Sequence, residues 1–432
     1  MTAWPAVLTV DPIDRASGAV HLPGSKSISN RALLLSALAD SETMLSGLLD
    51  ADDTRAMSDS LTSLGVQLHQ SAAGVCVQGC NGRFPVHKAN LFLGNAGTAF
   101  RLLTAALAFS GGRYELDGVA RMRERPIGDL VEALNSVGAR IRYAGSPGFP
   151  PLVIEPAGGL STDHASIKAD VSSQFLSGLL MAAPLCASQP GLRISIDGTL
   201  ISEPYVELTL SLMKQFGVSV ARERHAYYVP KASYRSPGRF VVEGDASSAS
   251  YFLALGAIAG GPVRVDGVGK DSVQGDVRLA DVLADMGAQV DFGADRITAS
   301  APARGRLHAI DADCNHIPDA AMTLAIVALF ADGPSTLRNI GSWRVKETDR
   351  ISAMATELRK VGAEVGEGSD WLRITPPKQF LEATIDTYDD HRMAMCFSLV
   401  AAGGVPVHIR NPGCVTKTFP EYFERLAELV HR

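Results

Sequence analysis

The sequence predicts an α/β protein of two similar domains, each holding three repeats around three buried helices. Two repeating signals and the chain length predict it. Six segments pass from small, polar or charged residues into apolar, helix-like stretches. They begin at Ser27, Asn95, Ser172, Ser247, Asp319 and His391, which lie 68, 77, 75, 72 and 72 residues apart. In phase with them, five amphipathic stretches end in glycine, at Gly65, Gly138, Gly217, Gly287 and Gly362, spaced 73, 79, 70 and 75 residues. A glycine just past a helix end is the expected left-handed cap, and the alternating residues after it read as a strand. Divided by six, 432 residues give 72 per repeat, and a chain this long exceeds an ordinary single domain.

Each repeat reads as strand, helix, strand, helix, strand, with the cap glycine before the last strand. The first helix is apolar nearly all round, as in residues 175–183, and such helices are buried. The second is amphipathic, as in residues 127–134, and covers the outside. A sixth cap glycine would fall beyond the last residue, so the final helix at 422–430 has no strand after it. Residues 6–10 supply the replacement strand, which brings both chain ends into one domain. Two glycine-marked crossovers, Leu22-Pro23-Gly24 and Val242-Glu243-Gly244, read as hinges. Cutting there leaves residues 25–243 as a middle domain and 1–24 with 244–432 as the other, three repeats on each side.

Composition excludes several classes. A net charge of −6, without a basic run, argues against nucleic-acid binding. The six cysteines form no C-x-x-C pair and read as free, mostly buried thiols of a reducing cytosol. The longest apolar runs, 320–331 and 393–404, are 12 residues each, too short to span a bilayer. The N-terminus lacks a basic-then-apolar signal pattern. The expectation is a cytoplasmic protein acting as a monomer, with no membrane or nucleic-acid partner.

Helix N-termini carry partial positive charge and unpaired N–H groups. Three buried helices per domain with N-termini aligned, and two domains facing each other, would make a cleft suited to polyanions. Cationic residues cluster beside the repeat starts: Lys26, Arg31, Arg101, Arg125, Lys346, Arg350, Arg392 and Lys417. Arginine matches phosphate and carboxylate with a planar fork, whereas lysine offers a point charge. Surface salt bridging is the bland alternative for any one of them. Asp319, after Ile317-Pro318, reads equally as an N-terminal cap or as an acid–base group. Glu347, inside Arg344-Val345-Lys346-Glu347-Thr348-Asp349-Arg350, reads first as part of a solvated charge run, the usual reading of such a stretch, and alternatively as the acid–base partner of Asp319.

Seven ordered motifs cover essentially the whole chain. They lie at residues 22–31, 93–99, 171–175, 317–321, 343–350, 388–394 and 416–420. They include Lys26-Ser27-Ile28-Ser29-Asn30-Arg31, Asn95-Ala96-Gly97-Thr98-Ala99, Ser172-Ser173-Gln174-Phe175 and Asp389-Asp390-His391-Arg392. Together they resemble the 5-enolpyruvylshikimate-3-phosphate synthase family. The resemblance implies an enolpyruvyl transferase-like fold of two domains, each with three βαβαββ units, and an active site in the cleft between them. It implies transfer of the enolpyruvyl group of phosphoenolpyruvate to the 5-hydroxyl of shikimate 3-phosphate through a tetrahedral intermediate that then loses phosphate. That is a step toward chorismate and the aromatic amino acids, and the family is the glyphosate target. No metal or organic cofactor is implied.

Carried over motif by motif, the resemblance implies that Ser27, Arg31, Ser172, Ser173, Ser202, Tyr205 and Lys346 hold shikimate 3-phosphate. Ser342 stands there too, where relatives often have Asn; its side chain is shorter and lacks the amide donors, so one hydrogen bond to the phosphate is missing or bridged by water. Asn95, Gly97, Arg125, Arg350, Arg392 and Lys417 would hold phosphoenolpyruvate. Lys26 and Gln174 would touch both, Lys26 with a catalytic role. Asp319 would take the 5-hydroxyl proton. Glu347 would protonate the methylene carbon and later remove that proton, while His391 orients Glu347 or the phosphate. A second departure is Arg101-Leu102-Leu103, where relatives often carry Pro for Leu102.

The start of the first motif, and the lack of a Cys between Cys80 and Cys186, separate the chain from the sister transferase acting on UDP-N-acetylglucosamine. A catalytically dead anion-binding relative would lose the Asp319 or Glu347 types, and both are present. Gly24-Ser25-Lys26-Ser27 lacks the glycine order of a P-loop.

Overall fold

Each glycine that follows an amphipathic stretch has a left-handed backbone, with φ of +88° at Gly65, +107° at Gly138, +84° at Gly217, +96° at Gly287 and +98° at Gly362. Only a residue without a Cβ takes that conformation cheaply, so each helix stops there and the chain turns into a strand. The computed structural model describes residues 4–157, 161–186 and 190–431. Its helices are α1 (Lys26–Leu38), α2 (Asp52–Ser63), α3 (Gly97–Leu107), α4 (Gly128–Ser136), α5 (Ser173–Cys186), α6 (Pro204–Gln215), α7 (Ala246–Ile258), α8 (Leu279–Asp285), α9 (Ala321–Val327), α10 (Arg350–Lys360), α11 (His391–Ser398) and α12 (Tyr422–Leu429).

Two units divide the chain: a middle unit, Gly24–Val242, and a terminal unit running up to Pro23 and resuming at Glu243. Each has its own hydrophobic core. The odd-numbered helices are buried along almost their whole length; every residue of α3, α9 and α11 is buried. Their lack of a polar face is why they sit inside. In the middle unit α3 packs against α1 and α5; in the terminal unit α9 packs against α7 and α11. The even-numbered helices bury one face only, as α4 buries Leu130, Val131, Ala133 and Leu134.

Among the described residues five sheets repeat one order, first strand, second, fourth, third, and the remaining sheet has three strands. The first two are parallel because a helix lies between them, and the rest are antiparallel. In the middle unit two such sheets run Lys88–Phe92, Arg113–Asp117, Leu152–Glu155, Arg140–Tyr143 and His164–Lys168, Gly191–Asp197, Ala226–Pro230, Ala221–Glu223. The third exchanges its first strand: Arg239–Val241, from the far end of the unit, pairs in parallel with Thr43–Ser46. In the terminal unit Arg15–His21 fills the same role beside Gly260–Asp266. Val7–Val10 pairs antiparallel with Val407–Arg410 and takes the fourth position of the sixth sheet. One detail differs from the sequence reading. A two-residue strand, Val430–His431, does follow the last helix, and it pairs with Arg15–Ala16 on another sheet. Two residues carry no alternation to read, so nothing in the sequence signalled it.

The crossover glycines are needed for close backbone approach. A Cβ at Gly24 would overlap the Gly47 carbonyl oxygen, and one at Gly244 would meet the Gly267 carbonyl at 2.9 Å. Cys76, Cys80, Cys314, Cys396 and Cys414 are free thiols, and the side chain of Cys186 lies outside the described residues. Among the described residues no helix is long and apolar enough to cross a membrane.

Candidate active site

In the middle unit the starts of the buried helices are tied together by side chains that the motifs supply. Ser25 caps α1, its hydroxyl accepting the Ile28 N–H at 3.5 Å. Lys26 follows, half-buried, with Nζ 3.4 Å from the buried Asp53 at the start of α2. Arg31, one turn on, is fully buried, and its hydrogen bonds go inward: Nε to Thr209 Oγ1 at 2.7 Å, Nη1 to the Ser27 carbonyl at 3.0 Å, and Nη2 to Ser177 Oγ and the Tyr205 carbonyl at 3.3 and 3.4 Å. Burial pushes its pKa down to about 10. Arg31 thus joins α1, α5 and α6, and its guanidinium is largely committed inside the unit. Ser202, just before α6, has a left-handed backbone at φ +51° and accepts the Tyr205 N–H on its carbonyl at 3.1 Å.

A second group forms where α3 and α5 begin. Arg125 follows a 3-10 turn at Ala120–Glu124, and its Nη1 donates to the carbonyl and Oδ1 of Asn95 at 3.2 and 3.1 Å. The same guanidinium lies over Gly97, the first residue of α3. Arg125 is 4% exposed, and its Nε has no hydrogen-bond partner among the described residues. A buried, unsatisfied cationic donor is costly unless an anion completes it. Gln174 bridges the two helix starts, donating from Nε2 to Thr98 Oγ1 and from its backbone to Ser172 Oγ, both at 3.3 Å. Ser173 is the first residue of α5. Arg101 is structural: Nη2 donates to the Pro126 carbonyl at 2.8 Å, which holds the segment after Arg125.

The terminal unit gathers a denser cluster. Asp319 is not a helix cap, since α9 has no side-chain cap. Its carboxylate instead accepts Arg350 Nη1 on Oδ1 and Arg392 Nη2 on Oδ2, both at 3.0 Å. Glu347 is not a solvated charge either; it is 7% exposed and accepts Arg350 Nη2 at 2.9 Å, with Lys417 Nζ 3.8 Å away. Arg350 is the hub. Besides Asp319 and Glu347 it grips Asp390, with Nε 2.7 Å from Oδ2 and Nη2 3.3 Å from Oδ1. Burial opposes its charge, but Asp390, Glu347 and Asp319 outweigh that and hold its pKa above the ordinary value. Asp390 also caps α11, accepting the Arg392 N–H at 2.9 Å. His391 is fully buried, with Nδ1 3.5 Å from Asp390 Oδ1. Arg392 Nη1 donates to the Tyr251 hydroxyl at 3.0 Å. Ser342 is buried and Lys346 half-buried, on and just after the 3-10 turn Gly341–Val345. That turn is pinned by Trp343, whose Nε1 donates to the Pro318 carbonyl at 2.7 Å, fixing the Glu347 segment beside the residue before Asp319.

Eleven of the expected residues therefore sit in the middle unit's groups: Lys26, Ser27, Arg31, Asn95, Gly97, Arg125, Ser172, Ser173, Gln174, Ser202 and Tyr205. Asp319, Ser342, Lys346, Glu347, Arg350, His391, Arg392 and Lys417 belong to the terminal unit. In the terminal unit's cluster, Asp390, Tyr251 and Asp276, whose Oδ1 accepts the Asp319 N–H at 3.4 Å, were not singled out from sequence. Asp390 had a signal, since it directly precedes the helix start at His391. Tyr251 and Asp276 had none, because each joins the cluster only through tertiary packing.

Comparison with known proteins is consistent along the whole chain. The sequence model described as EPSP synthase (3-phosphoshikimate 1-carboxyvinyltransferase) matches residues 10–426. The 3-phosphoshikimate 1-carboxyvinyltransferase of Laribacter hongkongensis is 60% identical over 427 residues, 98% of this chain and 99% of that one. That of Thiobacillus denitrificans is 63% identical over 420 residues, covering 96% and 97%. Among solved structures, an EPSP synthase from Acinetobacter baumannii superposes with a TM-score of 0.81 at 25% identity, covering 98% of both chains. An enolpyruvyl transferase from Streptomyces tendae shares the fold, with a TM-score of 0.75 at 20% identity over 98% and 97% of the two chains. The chain belongs to the EPSP synthase (3-phosphoshikimate 1-carboxyvinyltransferase) family.

Proposed function

We infer that this chain transfers the carboxyvinyl group of phosphoenolpyruvate to the 5-hydroxyl of shikimate 3-phosphate and releases phosphate, a step toward chorismate and the aromatic amino acids. The observation that carries the residue roles is the pair of buried carboxylates, Asp319 and Glu347, joined through one guanidinium, that of Arg350. A general acid and a general base held on one rigid fork suit an addition–elimination in which two protons move.

In the addition step Asp319 takes the 5-hydroxyl proton as that oxygen bonds to C2 of phosphoenolpyruvate. Glu347 gives a proton to C3, which becomes a methyl group. In the elimination step Glu347 takes a proton back from that methyl group, the double bond reforms and phosphate leaves with the electron pair of its C–O bond. Arg125, Arg350, Arg392 and Lys417, with Asn95, Gly97 and His391, hold phosphoenolpyruvate. Arg125 brings an unsatisfied buried Nε to that task. Ser27, Arg31, Ser172, Ser173, Ser202, Tyr205, Ser342 and Lys346 hold shikimate 3-phosphate. Lys26 and Gln174 touch both substrates, and Lys26 offsets the charge gathered between them. No cofactor enters. The protein works as a cytoplasmic monomer.

The test is phosphate release from phosphoenolpyruvate with and without shikimate 3-phosphate. Release that requires both is expected; release without the second substrate, or none with both, rejects the function.

A further inference from the structure

Asp276 belongs to the buried cluster around Asp319, yet no role above uses it. It sits in a 3-10 turn, Gly275–Arg278, and is 5% exposed. Its Oδ1 accepts the backbone N–H of Asp319 at 3.4 Å. Its Oδ2 accepts a hydrogen bond from the Ser247 hydroxyl at the start of α7. The Ala320 N–H also supports its ionised form.

Asp319 faces a chemical problem. Both of its oxygens accept guanidinium N–H groups, from Arg350 and Arg392. Two such donors stabilise the carboxylate and make it a poor proton acceptor. A nearby negative charge acts in the opposite sense, and buried Asp276 is placed to supply it. We propose that Asp276 is a positioning residue for Asp319: its carboxylate fixes the Asp319 backbone and supplies the negative charge that keeps Asp319 a competent base between two guanidinium groups. The proposal rests on the reading of Asp319 as the base.

The charged groups facing Asp276 are Asp319 and the Arg392 guanidinium. Burial pushes the Asp276 carboxyl up to about 6, Asp319 adds to the rise and Arg392 opposes it. Glu243, before α7, accepts hydrogen bonds from the Ser272 hydroxyl and Gln274 Nε2 ahead of the turn. On α7, Asp245 caps the helix through the Ser248 N–H and Tyr251 bonds to Arg392. Asp281 and Asp285 on α8 and His316 on the adjoining turn are exposed, and Cys314 Sγ faces the Ala312 carbonyl. Asp276 is therefore charged at neutral pH and loses its charge in mild acid.

The test is kcat against pH, with both substrates saturating, for the wild type and Asp276→Asn. The amide still accepts the Asp319 N–H, so positioning survives and only the charge goes. Asp319 then becomes the weaker base: the acid limb moves down by roughly one pH unit and the plateau falls roughly tenfold, while both KM values stay within about threefold. An unmoved limb overturns the proposal, whether the plateau holds or falls. So does a rise in both KM values without a shift of the limb, which marks a structural support only.

Ser247→Ala is the second variant, and it keeps the idea open to refutation if Asp276→Asn does not fold. Without the hydroxyl donor Asp276 holds its proton to higher pH. The kcat of this variant then drops below wild type around pH 6, the region where Asp276 titrates, and converges on it by about pH 8. Parallel curves overturn the proposal. Asp319→Asn separates the two ideas. Near-normal turnover there rejects Asp319 as the base. An inactive Asp319→Asn beside an unaltered Asp276→Asn rejects the Asp276 proposal alone.

Discussion

The guanidinium of Arg125 lies so close over Gly97 that a Cβ on the glycine would overlap Nη2 and fall 2.7 Å from Cζ. Gly97 opens α3 with an ordinary backbone, so the glycine there serves the arginine rather than the turn.

Gly97→Ala follows directly. The obstructing atoms are the far end of a flexible side chain, so Arg125 swings away at little cost to the fold, and Ala is the better helix former by about 1 kcal/mol. The displaced arginine loses its Asn95 bonds and its aim. The Michaelis constant for phosphoenolpyruvate rises roughly tenfold or more, the scale of one charge-assisted hydrogen bond, while the melting midpoint holds. Steady-state kinetics and a thermal scan check both. An unchanged constant separates Arg125 from the substrate.

The two carboxylates differ in what their loss does to the fold. Glu347→Gln keeps an acceptor for Arg350, so shikimate 3-phosphate still binds while turnover falls by roughly two to four orders of magnitude. Asp319→Ala loses turnover on the same scale. It also strips a partner from two buried guanidinium groups, a change of about 3 kcal/mol or more in stability. Single-turnover kinetics and denaturant unfolding separate the effects. Near-normal turnover in either variant removes that residue from the mechanism.

How much of this was legible follows from which forces act locally. The five cap glycines were readable because a helix end needs a left-handed residue wherever it occurs. The buried helices were readable from apolar residues on every face, as in α7 and α9. The exchange of Arg239–Val241 and Arg15–His21 between sheets was not, because the partner of a strand is set by tertiary packing. That Asp319 is no cap and Glu347 no solvated charge was not legible either, because burial and the shared Arg350 fork come from tertiary packing. The bonds of Arg31 to Thr209 and Ser177 were not legible, because they depend on α5 and α6 arriving from far along the chain.

Asp276 makes stability depend on pH in an unusual sense. Its carboxyl is raised to about 6 in the folded chain, above the ordinary 3.8, so the folded state binds the extra proton between those values. Stability therefore rises as pH falls through 6 and is lowest, for this group, at neutral pH and above. Asp276→Asn removes the penalty: its melting midpoint exceeds wild type by a few degrees at about pH 8, and the difference shrinks by about pH 5. A constant difference across that range contradicts the burial of an ionisable Asp276. More stability with less activity is the expected price of a charge kept for chemistry.

Helix α10 grips the segment before α11 at two points. Arg350, at its first residue, holds Asp390. Two turns later the fully buried Glu357 accepts the Tyr388 hydroxyl at 2.7 Å and the Asp386 N–H at 3.1 Å, and pairs with Lys360 at 2.7 Å. Between those points Tyr388 and Asp389 both lie in the left-handed region, at φ +54° and +56°. Non-glycine residues there store about 1 kcal/mol or more each, and persist only where their surroundings hold them. The segment leads directly into Asp390, His391 and Arg392, so its strain is borne next to the proposed phosphoenolpyruvate ligands. Tyr388→Phe removes one clamp without touching that site. It should cost about 1 kcal/mol of stability and raise the Michaelis constant for phosphoenolpyruvate several-fold, with affinity for shikimate 3-phosphate unchanged. Asp389→Gly relieves part of the strain, and in the Tyr388→Phe background it should restore much of the lost affinity. Equal loss of both substrates' affinities, or no rescue by the glycine, would show that the clamp supports the fold and not the aim of Arg392.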